Sequence, residues 1–129
     1  TMIGLSKRHR IEIVDDQYGR PTSAIYLSKF LNELVLGCYQ LDFGVYNFSS
    51  NGKKVSWSGF AEAIFVHACK LNLIDSQPKI INISSEEYNG SALRPCYAVL
   101  SNKKIEKSCN ISFPNWRELL VHDLKLMVR

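Results

Sequence analysis

Two groups of side chains in this 129-residue chain have the types and spacing to hold an anionic, hydroxyl-rich ligand. The first is the turn Asp16-Gln17-Tyr18-Gly19-Arg20-Pro21-Thr22, set between a β-branched run at 11–14 and an apolar helical pattern at 23–36. Strand, polar loop and helix start, in that order, aim polar side chains and free helix N–H groups at one place. Gly19 tolerates positive φ and suits a sharp reversal. Pro21 holds Arg20 extended, and the Thr22 hydroxyl is placed to cap the next helix. Asp16 and Gln17 can hydrogen-bond sugar hydroxyls or a pyrimidine edge; Asp16 capping its own turn is the alternative. The second group is Arg94, kept extended by Pro95 after a polar loop. A guanidinium forks two hydrogen bonds onto phosphate oxygens, which suits a diphosphate. A surface pair with Glu86 or Glu87 is the structural alternative for Arg94, as simple turn-shaping is for the loop.

Other chemistry finds little support. Asp15 and Asp16 are adjacent at a strand end, so their carboxylates diverge, and a single carboxylate makes a poor metal site. His67 lies near the apolar stripe of a helix with no second ligand facing it and reads as a packed neutral imidazole. The cysteines at 38, 69, 96 and 109 have no C-x-x-C spacing, so neither a zinc knuckle nor a redox motif is expected, and reduced thiols are. The net charge of +4 is mild and its lysines and arginines are scattered, which argues against a nucleic-acid surface. No apolar run nears the ~20 residues of a membrane span, and the first ten residues lack the apolar core of a signal peptide. Hydrophobic and charged fractions of 46% and 22% suit a soluble domain of the size one core can support.

The elements that must position these groups follow from periodicity and caps. Residues 1–9 read as a helix tail, with Thr1 its one capping residue and a basic end. Strands are expected at 11–14, 45–48 and 79–83. A helix over 23–36 buries Ile25, Leu27, Phe30, Leu31, Leu34 and Val35, with Gly37 just past its end. Ser56 caps a helix over 57–71, the strongest 3–4 repeat in the chain. Ser84 and Glu87 form a capping box, and Asn89-Gly90 and Arg94-Pro95 are breakers. Ser101 caps a short helix through 107 that packs Ile105. Asn115 caps a last helix with Trp116, Leu119, Leu120, Leu124 and Met127 inside. Trp57 and Trp116 are both expected in the core.

The stretch Asp16-Gln17-Tyr18-Gly19-Arg20-Pro21-Thr22-Ser23-Ala24 resembles the DQ-x-G-x-PT-x-A motif of the dTDP-4-dehydrorhamnose reductases, which are extended short-chain dehydrogenases. Further landmarks follow in order. Residues 44–52, GVYNFSSNG, resemble the family's G-x-Y-(H/N)-x-x-x-x-G strand. Ser56-Trp57 resembles the start of its next helix, Arg94-Pro95 its late RP motif, and Pro114-Asn115-Trp116-Arg117 its P-x-W-(R/E). The resemblance implies an α/β fold, as an α+β-like fragment with a small sheet and about four helices: the C-terminal substrate-binding domain, over 1–129, of a longer enzyme.

It also implies a function. The whole protein would reduce the 4-keto group of dTDP-4-dehydro-L-rhamnose with NADPH or NADH. An N-terminal Rossmann domain would bind that cofactor and supply a Tyr-x-x-x-Lys pair. No tyrosine here is followed four residues later by lysine, and no glycine-rich pyrophosphate spacing occurs, so this chain is expected to hold no catalytic residue and no cofactor, and to be inactive alone. Substrate-binding residues implied by the motif are Asp16, Gln17, Gly19, Pro21, Thr22 and Arg94, with Arg94 on the diphosphate. Some members carry a glutamate after PT-x-A that serves a metal-linked dimer; Ile25 stands there, so no metal residue is assigned. Expected partners are the nucleotide sugar, the N-terminal domain and a second copy, in the cytoplasm, without nucleic acid or membrane. The alternatives are a non-catalytic relative resembling the regulatory subunit of methionine adenosyltransferase, another sugar-nucleotide reductase or epimerase, and an independent α+β binding module.

Overall fold

The computed structural model describes residues 2–88, 90 and 92–128. The expected cap at Thr1 and turn residue at Asn89 lie outside them. In chain order the elements are α1 (Met2–Leu5), β1 (Arg10–Val14), β2 (Tyr18–Gly19), α2 (Ala24–Val35), β3 (Val55–Ser56), α3 (Trp57–Lys70), β4 (Lys79–Ile83), α4 (Ser85–Tyr88), α5 (Lys103–Cys109) and α6 (Trp116–Leu126). This is the expected α/β fragment, with four helices longer than one turn. Its strands form two separate ladders. β1 pairs with β4 in parallel, Arg10 opposite Lys79 and Val14 opposite Ile83. β2 pairs with β3 antiparallel, Tyr18 opposite Ser56.

Local chemistry explains the helix boundaries. Ser56 Oγ accepts the Gly59 N–H at 3.1 Å and starts α3. Ser84 and Glu87 exchange the two bonds of a capping box, at 2.7 and 3.1 Å. Asn115 accepts the Arg117 N–H at 3.0 Å and starts α6. Helix α2 ends at Gly37, φ +78°, where the Cys38 N–H reaches the Glu33 carbonyl and the Gly37 N–H that of Leu34. Two expected caps move by one residue. Ser23, not Thr22, caps α2, its Oγ accepting the Tyr26 N–H at 3.1 Å, while Thr22 is exposed. Asn102 occupies the cap position of α5 without a side-chain bond, and Ser101 Oγ accepts the Lys103 N–H at 3.5 Å. In both places two adjacent hydroxyl or amide residues compete, and the chain's entry angle decides between them.

Two apolar clusters hold the elements. Ile11, Ala61 and Phe65 join β1 to α3, with Leu5, Ile74 and Ile80 packed around them. Phe30, Ile105 and Phe113 join α2 to α5, with Tyr26, Tyr39 and Phe48 around them. The second cluster is mostly aromatic; Phe48 and Phe113 lie 4.6 Å apart, and Phe30 meets Phe113 edge-on at 5.8 Å. Phe60 and Trp116 make a similar edge contact, 5.7 Å, tying α3 to α6.

Three expectations fail. No strand forms at 45–48, because nothing pairs with it: Tyr46 and Phe48 turn their rings into the aromatic cluster and Val45 is exposed. Of the expected apolar face of α2 only Phe30 is buried; Ile25, Leu31 and Val35 face solvent, as does Met127 beyond α6. Trp57 is 52% exposed, whereas Trp116 is 2% exposed and donates its indole N–H to the Lys53 carbonyl at 2.8 Å.

Irregular residues 36–54 are tied down by Asn51. Its amide donates to Glu106 Oε1 at 2.7 Å and the Phe113 carbonyl at 3.0 Å, and its Oδ1 accepts from Asn102 at 3.2 Å. Its backbone bonds Pro114 and Trp116, both at 2.9 Å. Among the described residues, no helix is long and apolar enough to cross a membrane.

Candidate functional site

The turn after β1 is built by two carboxylates that part company, as adjacent residues at a strand end must. Asp15 Oδ1 accepts the hydroxyls of Ser56 and Ser58, at 2.5 and 2.6 Å, and Oδ2 accepts the Asn82 amide at 3.2 Å. Hydrogen bonds from Ser56, then Ser58, hold its carboxyl below the ordinary value of 3.8, against the opposing effects of burial and the Asp16 charge. Asp16 accepts both the hydroxyl and the backbone N–H of Ser85, the latter at 2.9 Å, and those bonds lower its pKa as well. Asp15 thus fastens the start of α3, and Asp16 the start of α4.

Between these anchors β2 runs past the Arg94 segment. The Tyr18 N–H donates to the Cys96 carbonyl and the Ala98 N–H to the Tyr18 carbonyl, each at 2.8 Å. Lys54 Nζ stands 4.7 Å from the Tyr18 ring centre and 5.0 Å from that of Tyr97. Backbone and side chains together fix the late Arg-Pro against the early turn, although 76 positions separate Tyr18 from Arg94 in sequence.

The result is a cavity of about 460 Å³. Gln17, Gly19, Pro21, Thr22 and Arg94, five of the six residues singled out in the sequence, line it. Asp16 is not among the lining residues, its oxygens being engaged by Ser85. Gln17 donates to Ser85 Oγ at 2.8 Å. Arg94 is exposed and makes no ion pair among the described residues; neither Glu86 nor Glu87 holds it. Arg20 also lines the cavity, with its guanidinium donating to the Leu100 carbonyl and, at 3.4 Å, to Asn51. A second cavity, about 700 Å³, shares Gln17, Trp57 and Arg94 with the first and adds Glu12, Ser85 and Glu86.

Sequence reasoning missed Trp57, Val55 and Phe60 on the cavity wall, and Lys54 and Tyr97 beside the lining residue Tyr18. The Lys54 signal lay in its position just before the Ser56 cap, opposite a strand too short for periodicity to reveal. Among the described residues, no cluster of three or more His, Cys, Asp or Glu could hold a metal ion. The four cysteines are free thiols.

Comparison with known proteins identifies the family. The family model described as RmlD substrate binding domain matches residues 1–128. A dTDP-4-dehydrorhamnose reductase of Burkholderia thailandensis is 34% identical over 138 aligned positions, covering 96% of this chain and 45% of that protein. The spore coat polysaccharide biosynthesis protein SpsK of Bacillus subtilis is 33% identical, over 93% of this chain and 38% of that protein. The crystal structure of a dTDP-4-dehydrorhamnose reductase from Bacillus anthracis, in complex with NADP, superposes with a TM-score of 0.82 at 29% identity, over 98% of this chain and 41% of that one. The ortholog from Clostridium acetobutylicum gives 0.80, also at 29%. The chain therefore spans less than half the length of these relatives. Motifs, fold and matched length together place it in one family: the chain belongs to the RmlD substrate binding domain family.

Proposed function

We propose that residues 1–129 are the C-terminal, substrate-binding domain of a reductase that converts the 4-keto group of dTDP-4-dehydro-L-rhamnose to a hydroxyl using NADPH or NADH. The reading is carried by one observation: Gln17, Gly19, Pro21, Thr22 and Arg94, drawn from distant parts of the sequence, surround a single cavity. The names of the relatives, concerning deoxysugar reduction and polysaccharide synthesis, support the same substrate class.

In this proposal the chain's own residues bind and orient. Arg94, extended before Pro95 and not neutralised by a carboxylate among the described residues, forks onto the diphosphate. Gln17 and the hydroxyl of Thr22 hydrogen-bond the sugar or base, while Gly19 and Pro21 shape the wall. Asp16 belongs to the site by holding α4 in place. The apolar surface of Trp57 and Phe60 keeps water from the bound ligand. A nicotinamide would supply the hydride; no residue of this chain is assigned to it, and the proton donor is assigned to the rest of the protein. The chain alone is expected to reduce nothing.

The test is calorimetry on the full-length protein, with dTDP compared against UDP, followed by NADPH oxidation with the 4-keto sugar nucleotide. Arg94→Ala is expected to weaken dTDP binding by about 10- to 100-fold, since hydrogen bonds to charged groups contribute roughly 1.5–3 kcal/mol. Arg94→Lys should recover part of that loss. Tighter binding of UDP than dTDP would transfer the domain to a different sugar-nucleotide enzyme. Unaltered affinity in Arg94→Ala would remove the arginine from the site.

A further inference from the structure

We infer that the exposed indole of Trp57 is the surface on which the nucleobase of the ligand stacks, and that base and sugar occupy the two neighbouring cavities on either side of Arg94. This deepens the nucleotide-sugar reading above and rests on it.

Trp57 is the first residue of α3, and its backbone is pinned on both sides. Ser56 Oγ and Ser58 Oγ both donate to Asp15. Yet the side chain on this rigid support is 52% exposed. A lone exposed apolar residue is ordinary, but this one lines two adjoining cavities, and the other residues common to both are Gln17 and Arg94. The other aromatic rings of the first cavity are engaged, Tyr18 by Lys54 and Phe60 by Trp116; Tyr88, 63% exposed, lines the second cavity alone.

The two cavities differ in chemistry, and that difference orients the ligand. The first is walled by Val55, Phe60, Pro21, Pro95 and Ala98, which suits a flat heterocycle with apolar faces. The second carries Glu12, Glu86 and Ser85. Its carboxylates accept hydrogen bonds from sugar hydroxyls and repel phosphate. Arg94 stands where the two meet, as the diphosphate stands between base and sugar in a nucleoside diphosphate sugar. The order apolar wall, guanidinium, hydroxyl acceptors therefore matches the order base, diphosphate, sugar.

The experiment uses the full-length protein with two probes, dTDP and inorganic pyrophosphate, on wild type, Trp57→Phe and Trp57→Ala. Base–aromatic stacking predicts that Trp57→Ala weakens dTDP binding by roughly 5- to 140-fold, and that Trp57→Phe keeps most of the affinity. Pyrophosphate, which has no base, should bind all three alike, and this also shows that the variants retain the anion site. Wild-type dTDP affinity in Trp57→Ala overturns the inference and leaves the nucleotide-sugar reading standing. Equal losses for dTDP and pyrophosphate in Trp57→Ala overturn it too, because the tryptophan would then only support the arginine. A wild-type protein that binds no nucleotide overturns both.

Discussion

Asp15 joins the strand β1 to the start of helix α3 through a single carboxylate. Because serine hydroxyls stabilise its ionised form, its pKa in the folded protein lies below its value in the unfolded chain. Folding stability from this group is therefore complete above the ordinary value of 3.8 and is lost as pH falls through the lowered folded value. Asp16 and Glu87 are shifted the same way by Ser85 and Ser84; Asp16 starts from the same ordinary value of 3.8, whereas the Glu87 contribution is complete only above its ordinary value of 4.5. Urea unfolding measured from pH 7 down to pH 3 should show stability falling below about pH 4. Asp15→Asn should be less stable at pH 7 and flatter with pH. A variant with the wild-type slope would show that Asp15 does not couple protonation to folding. At this scale the sequence was readable in part. The divergence of the two aspartates and the caps at Ser56, Ser84 and Asn115 are decided by immediate neighbours. The exposure of Trp57 depends on residues far along the chain, and no local pattern reports it.

At the scale of elements, the connection 36–54 shows why one landmark could be recognised and still be assigned the wrong shape. Residues 45–48 carry the Val, Tyr and Phe that strands favour, but a strand needs a partner edge, and here two rings were drawn instead into the cluster around Phe30 and Phe113. The segment owes its order to Asn51, whose side chain and backbone reach α5, the approach to α6, and Arg20 at the cavity. Asn51→Ala leaves the Phe113 carbonyl without its side-chain donor and Glu106 Oε1 with only the Phe113 N–H, 2.8 Å away. The expected cost is about 1–3 kcal/mol of stability, read by chemical denaturation. Because Asn51 also meets the arginine that lines the cavity, ligand affinity should fall with it. A neutral effect on stability would mean that water replaces the lost amide. Gly52 beside it, at φ +108°, is packed so tightly that an added Cβ would lie 2.7 Å from Asn115 Oδ1, the atom that caps α6. The turn and the helix start are thus one unit.

For the molecule as a whole, the surface is less closed than the sequence suggested. Ile25, Leu31, Val35 and Leu36 leave an apolar side of α2 uncovered. The relatives matched are more than twice as long as the segment they share with this chain. We therefore expect the isolated 129-residue chain to self-associate, eluting from gel filtration as a dimer or larger. A clean monomer at high concentration counts against this. What was legible at this scale came from the order of the motifs, because five short landmarks in register identify a family more securely than any one identifies a contact. Which wall each side chain faces was not legible, since the cavity is closed only when Tyr18 meets Cys96 and Ala98.

The parallel pairing of β1 with β4 sets the timing of assembly. Arg10 pairs with Lys79, 69 positions along the chain, so the ladder closes a long loop and is expected to form late. Helix α3, with its strong local pattern, can form early and offer Phe65 as the seed on which both strands condense. Lesions in the ladder should then hasten unfolding more than they slow refolding. The Asp15 turn, at the end of β1, would be the last part of the binding surface to take shape and the first to come undone.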